Sequence, residues 1–341
     1  MPTITAGQPA DASEASSGDR PAPADSIDEA LSVFLSVRPR LFGMAYRILG
    51  SAADADDIVQ SVWLRWQMKD RSAVRDAPAF LATTTVRLAV NLAQSAHARR
   101  ETYIGPWLPE PVDTSDDPYL GAECDDALEL AVLVLLEKLS PNERAAYVLR
   151  EAFDYPYRQI ADILQVTEAN VRQLITRARK HIRSERQAPA SATEQRRLLT
   201  AFISAAQEGS IVKLEGLFTA DIASYADGGG IMNVARIPVR GRSLVAKYIA
   251  KIAGPFWASV TLKMIDTNGR ASLVMLRAGE VIALATIAGS KRRINQIMWV
   301  MRPSKLTAIS RSLSESRASS AHPRTRSRTR SRTRQRRRRA T

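Results

Sequence analysis

The sequence predicts a multi-domain chain: two all-α domains, the second a helix-turn-helix, followed by an α+β cone. Three observations predict it. Apolar residues recur at helical spacing across residues 27–100 and again across 139–182. Within residues 139–182 two short helical patterns meet at a tight break, the spacing of a helix-turn-helix. Beyond residue 193 short apolar runs alternate with Gly-containing turns, the pattern of strands. With 341 residues, 45% of them hydrophobic, the chain is long enough for two or three separate cores.

Charge and composition narrow the function classes. The net charge is +14, but residues 322–341 hold ten Arg and no acid, so the excess belongs mostly to a tail. The one cysteine, Cys124, excludes an internal disulfide and suits a reducing compartment. The histidines, His97, His181 and His322, are far apart, so no metal and no cofactor is expected. No apolar run reaches the roughly 18 residues of a membrane span, and residues 1–25 lack the basic start and apolar core of a signal peptide. The expectation is a cytoplasmic protein with no membrane partner.

In chain order, residues 1–26 are rich in Ala, Ser, Pro and Asp and are expected to be disordered. The first helical domain should cover residues 27–101. Its stripes are Leu31, Phe34 and Leu35, then Leu41, Ala45 and Ile48, then Ile58, Val62 and Trp66. Gly50-Ser51 ends one helix, and Asp54, Asp56 and Asp57 favour the positive end of the next. Pro78 opens a third helix that buries Leu81, Val86 and Leu92 and presents Thr83, Thr84, Arg87, Asn91 and Gln94. Residues 102–122 read as an extended, weakly structured linker with several prolines and acids.

The second helical domain should cover residues 123–186. Ser140-Pro141 with Glu143 is a helix-start signal, and Asp154-Tyr155-Pro156 ends that helix. Ile160, Ala161 and Ile163 form the next apolar face, and Thr167 caps the helix through Val171, Leu174, Ile175 and Ala178. Its outward face carries Glu168, Asn170, Arg172, Gln173, Thr176, Arg177, Arg179 and Lys180, side chains that can bond base edges and phosphates. Gln165 occupies the turn position often held by Gly, so a left-handed backbone there is expected to carry strain.

After a second linker (187–193), residues 194–309 read as two or three helices on a curved, mostly antiparallel sheet. The predicted strands are 222–225, 233–239, 259–265, 271–277, 281–287 and 293–301, with a helix at 243–252. Residues 194–320 contain no His, and their isolated carboxylates, such as Asp221, Asp227 and Asp266, are not paired by spacing. No catalytic residue is assigned. Residues 310–341 are expected to be a disordered Arg-rich tail.

Asp54-Ala55-Asp56-Asp57-Ile58-Val59-Gln60-Ser61-Val62-Trp63, the helix that follows and the helix-turn-helix together resemble bacterial sigma factors of the extracytoplasmic-function (ECF) class. Trp107-Leu108-Pro109-Glu110-Pro111 resembles the subgroup with a SnoaL-like C-terminal extension, a cone of the SnoaL/NTF2-like fold. The resemblance implies a region 2 that binds core RNA polymerase and the promoter −10 element, and a region 4 that binds the −35 element. It places Asp54, Asp57, Gln60 and Trp63 against the β′ clamp helices, with the β flap as a second polymerase contact. It places Arg87, Asn91, Arg99 and Arg100 near the −10 element, and Thr167, Asn170, Arg172, Gln173, Thr176, Arg177 and Lys180 at the −35 element. Asp227-Gly228-Gly229-Gly230 resembles a motif of the extensions, although Ile231 stands where a Lys usually follows. Pro303, Lys305 and Leu306 retain part of their terminal motif. The resemblance therefore implies a regulatory contact of the extension, through these residues or Trp107, with the sigma domains. No ligand is specified for the cone. The alternative reading is a DNA-binding regulator fused to a small-molecule-binding or cyclase-like domain.

Overall fold

The computed structural model describes residues 27–100, 103–115, 129–185, 190–230, 234–257, 259–290 and 292–321. The expected disordered segment 1–26 and the Arg-rich stretch 322–341 lie outside the described residues.

Three helices build the first domain: α1 (Ile27–Leu49), α2 (Ala52–Gln67) and α3 (Ala77–Arg100). Gly50, at φ +69°, turns the chain between α1 and α2. Ser51 then caps α2, its hydroxyl accepting from the Asp54 amide at 3.1 Å. Phe34, Leu41, Ile48, Val62, Leu81 and Val86 fill the core between the helices.

The second domain contains α4 (Leu130–Leu136), α5 (Pro141–Glu151), α6 (Tyr157–Leu164) and α7 (Glu168–Glu185). Ser140 and Glu143 form a reciprocal capping box at the start of α5. Gln165 ends α6 at φ 56°, ψ 46°, the left-handed turn expected from its position. A non-Gly residue there costs on the order of 1–2 kcal/mol. That strain is offset where Val171, fully buried, packs close to Ala161 and Ile160 in the crossing of α6 and α7.

The third domain begins with α8 (Ala192–Gln207) and α9 (Ile211–Leu217). Next come β1 (Phe218–Asp227), the two-residue β2 (Val239–Arg240) and α10 (Arg242–Trp257). β3 (Thr261–Thr267), β4 (Arg270–Arg277), β5 (Glu280–Ser290), β6 (Arg293–Val300) and α11 (Pro303–Ala321) complete it. The sheet order is β2-β1-β6-β5-β4-β3. β1 and β6 are parallel and every other pair is antiparallel. Register shifts in β1–β6, β4–β5 and β5–β6 bend the sheet into its cone.

Period-two alternation sends the central strands into two cores. Leu273, Met275, Ala285 and Trp299 face α8, α9 and α10. Val274, Leu276, Leu284, Met298 and Val300 belong instead to the core that contains the helical domains and Leu306, Ile309 and Leu313 of α11. Two-sided burial explains why these strands read as unbroken apolar runs.

Two expectations are corrected. Residues 310–321 are helical rather than a disordered tail, because Ile309 and Leu313 of α11 are buried against the sheet. The strand expected at 233–239 shrinks, among the described residues, to Val239–Arg240, paired with β1 at Ala223 and Ser224.

The linker also differs from a weakly structured path. Residues 103–115 run extended but pinned between the first domain and the cone. The Tyr46 hydroxyl donates to the Glu110 carbonyl at 2.5 Å, and the Glu110 carboxylate accepts from the Ala53 amide and the Ser51 hydroxyl at the start of α2. Further along, Val112 exchanges backbone and side-chain bonds with Asn268, and Thr114 bonds the Asp266 carbonyl. Asn268, 1% exposed, also donates to the Tyr46 hydroxyl at 2.8 Å, so the β3–β4 turn joins three segments. Its φ of 54° suits an Asn in this turn. Asn268→Ala leaves the Val112 amide without its partner in a dry joint. A loss of about 1–3 kcal/mol in urea unfolding of the full chain is expected, and an unchanged midpoint would show that the joint bears no load.

Candidate nucleic-acid interface and interdomain clasp

Arg172, Gln173, Thr176 and Arg177 line one open concavity on α7, as helical spacing from the Thr167 cap requires. Their guanidiniums are held in place by neighbours. Arg172 pairs with Glu168 at 3.2 Å and lies over the Tyr157 ring at 4.5 Å. Arg177 pairs with Glu143 at 3.1 Å. The Thr167 hydroxyl accepts from the Asn170 amide at 3.2 Å, the Thr176 hydroxyl bonds the Arg172 carbonyl, and Lys180 is exposed. Tyr157, which also lies under Arg150 at 5.3 Å, was not marked by any sequence pattern.

Of the residues expected near the −10 element, Arg87 does not point freely to solvent. Its Nε and Nη2 donate to the carbonyls of Ile163 and Asp162, each at 2.9 Å, at the C-terminal end of α6. Cations favour that end of a helix. Asn91 is exposed, whereas the side chains of Arg99 and Arg100 lie outside the described residues. The two helical domains also meet at Arg144, 3% exposed, whose Nε donates to the Arg47 carbonyl at 2.7 Å and whose Nη1 pairs with Glu137.

On α2, Asp57 and Gln60 are exposed and Asp54 is half-buried. Trp63 is half-buried against Phe34, ring centroids 5.0 Å apart. The exposed apolar residues in this stretch are Leu64, 53% exposed, and Met68, 89% exposed, which sequence reasoning passed over.

Most of the residues expected to be regulatory converge on one clasp. Asp227 is fully buried at the end of β1 and pairs with Lys305 at 2.7 Å. Its Oδ1 accepts from the Tyr103 hydroxyl, while the Leu108 amide donates at 2.8 Å to Oδ2, the oxygen that Lys305 also holds. The Lys305 ammonium also donates to the Leu108 carbonyl and lies 3.8 Å from the Trp107 ring centroid. A buried charge pair is tolerable only when its remaining bonds are satisfied in this way. Leu306 is buried beside it, while Pro303 is exposed at the start of α11. Each glycine has its own reason. A Cβ on Gly228 would lie 2.8 Å from Val234, and Gly229 and Gly230 adopt φ of +57° and +89°. Leu108 lies inside the 107–111 motif, whereas Tyr103, the linker's other contributor, carried no motif signal.

This is the architecture of a promoter-recognition factor with an added domain: a three-helix domain, a helix-turn-helix with a basic outward face, and a third domain clasped to the linker between them. Residues 33–100 match the Sigma-70 region 2 family and residues 129–182 the Sigma-70, region 4 family. The ECF RNA polymerase sigma factor SigJ of Mycobacterium tuberculosis is 35% identical over 227 residues, 64% of this chain and 72% of that protein. The probable ECF RNA polymerase sigma factor SigI of the same species is 34% identical over 194 residues, 56% of this chain and 67% of that protein. The crystal structure of M. tuberculosis SigJ aligns with a TM-score of 0.66 at 28% identity, covering 82% of this chain and 98% of that one. The chain belongs to the ECF RNA polymerase sigma factors, with an α+β C-terminal domain.

Two outcomes test the clasp. Lys305→Met keeps the side-chain length but leaves Asp227 buried without its counter-charge, so a loss of about 3–5 kcal/mol is expected. Asp227→Asn in the same chain should recover part of it, and a single variant as stable as the parent would remove the clasp from the argument. Burial, and then the hydrogen bond to Asp227, raise the Tyr103 pKa to about 12. Because the folded value lies above the unfolded value of about 10, the Tyr103 contribution is complete below about pH 10 and is lost as pH rises toward about 12. Tyr103→Phe should flatten that alkaline step in stability; an identical step would place it elsewhere.

Proposed function

We propose that this sigma factor reads the −35 element through the α7 face, docks on the β′ clamp helices through the exposed Asp57, Gln60 and Leu64 side of α2, and reads the −10 element through the outward face of α3. The β flap is the polymerase contact for region 4. Its C-terminal domain regulates it in cis. The protein works in the cytoplasm, where the polymerase is, and needs no cofactor. The cone catalyses nothing: it contains no His, and Asp227, its one fully buried carboxylate, is neutralised by Lys305. Among the described residues no group of His, Cys, Asp and Glu could hold a metal, and no helix is long and apolar enough to cross a membrane.

The Arg87 bridge from α3 to the end of α6 carries the regulatory part of this reading. The −35 and −10 positions lie about 25 base pairs apart, on the order of 85 Å at 3.4 Å per pair. Region 2 and region 4 in direct contact do not span that distance. The clasped chain is therefore a closed state, and polymerase binding opens it by favouring the separated arrangement.

Fluorescence energy transfer between labels on α3 and α7 should fall when core polymerase is added; a constant signal refutes opening. Gly228→Val, which meets Val234, should change promoter-specific output of reconstituted holoenzyme, and output identical to the parent would make the C-terminal domain a passive passenger. Asp57→Arg with Gln60→Ala should abolish core binding while the circular dichroism spectrum stays native. Arg172→Ala and Arg177→Ala should each weaken promoter binding by about 1–3 kcal/mol where a bidentate base contact is lost. Unchanged binding by both would remove α7 from −35 reading.

A further inference from the structure

Residues 194–309 hold sixteen Lys and Arg against seven Asp and Glu, an excess that the Arg-rich tail has no part in. It is concentrated in one stretch. From 234 to 257 the chain carries Arg236, Arg240, Arg242, Lys247 and Lys251 and no acid. Arg236, Arg240, Lys247 and Lys251 are exposed, and Arg242 is half-buried with an Nε that finds no partner. None of the five makes an ion pair among the described residues. Arg240 is held over the Tyr225 ring at 5.7 Å, its Nη2 3.4 Å from the phenol oxygen. Lys247 and Lys251 are one helical turn apart, a like-charge spacing that destabilises an isolated helix.

One end of the strip, Arg236, lies beside the linker that follows the third helix of region 2. A Cβ on Gly105 would lie 3.7 Å from the Arg236 carbonyl, and Gly105 follows the end of α3 at Arg100 by only a few residues. One on Gly230 would lie 3.8 Å from the Ile104 side chain. The basic strip of the cone thus begins within a few residues, along the chain, of the end of the −10-directed helix. We propose that Arg236, Arg240, Lys247 and Lys251 form a second DNA contact, a phosphate-binding strip that extends the region 2 interface along the promoter duplex. A field of unpaired cations without base-reading geometry binds backbone charge and releases counterions. A lipid surface fits less well: the apolar face of α10, with Val245, Ala246 and Ile249, is buried in the cone, which leaves two separate exposed apolar side chains, Ile237 on the loop and Leu244 on the helix, rather than an amphipathic stripe.

The inference rests on the promoter-binding reading, and the test separates the two. Binding of the full-length protein to a duplex DNA fragment is measured by anisotropy across a salt series. The comparison is with a variant carrying Arg236→Gln, Arg240→Gln, Lys247→Gln and Lys251→Gln. A control carries Lys213→Gln, Lys263→Gln, Arg277→Gln and Arg292→Gln, the same charge change elsewhere on the cone. The slope of log affinity against log salt should become shallower by about 0.9 for each phosphate contact removed, in the strip variant alone, with core polymerase binding unchanged. An unchanged slope, or an equal change in the control, overturns the strip. Lost binding to phosphatidylglycerol vesicles with an unchanged DNA slope would assign the strip to a membrane surface instead. Failure of the promoter-binding reading would show differently, as parent holoenzyme that gives no promoter-directed transcription.

Discussion

The seating of the linker against the cone depends on keeping one carboxylate out of water. Asp227 is wholly buried, and ion desolvation of this kind costs several kcal/mol unless a counter-charge and hydrogen bonds replace the lost hydration. The replacements come from the linker at Tyr103 and Leu108 and from the far end of the domain at Lys305. None of them alone suffices, so the linker strap, the end of β1 and the start of α11 settle together or not at all. That coupling turns three sequence-distant segments into one cooperative joint.

The joint reaches beyond the cone. A few residues past the clasp, Glu110 sits on the N-terminus of α2, whose exposed side carries Asp57 and Gln60. A carboxylate there complements the helix dipole and satisfies an end amide. Asn268, Tyr46 and Arg270 add polar bonds at the next turn of the strap; the Arg270 guanidinium pairs with Glu129 at the entrance to region 4. The C-terminal domain thus touches region 2 at Tyr46 through Asn268 and the start of region 4 at Glu129 through Arg270, which gives it physical purchase on how they are disposed.

The helical framework was legible because short-range rules decide it. Ser140 and Glu143 cap where they should, Thr167 starts α7, and Gln165 is left-handed as its place in the turn demands. The clasp was legible as a set of motifs but not as a structure, since nothing local says that Asp227 and Lys305 meet. Tyr103 and Asn268 were invisible for the same reason: each looks like an ordinary linker or turn residue, and only tertiary packing gives it a role. Arg87 was expected on a DNA-facing surface. The carbonyls at the end of α6, which a one-dimensional reading cannot bring near, claim its guanidinium in the closed state. The helix past residue 309 was missed because its buried side, Ile309 and Leu313, is sparse beside the Ser and Arg around it.

The sheet has no dry face to spare. Val274, Leu284, Met298 and Val300 share a core with the helices of the promoter-reading domains, while their strand neighbours fill the cone. A gene fusion usually joins parts that could live apart, with the seam in a solvent-exposed tether. Here recombination at the apparent seam would hand both products a greasy scar. Packed this way, each part is the other's solvent shield.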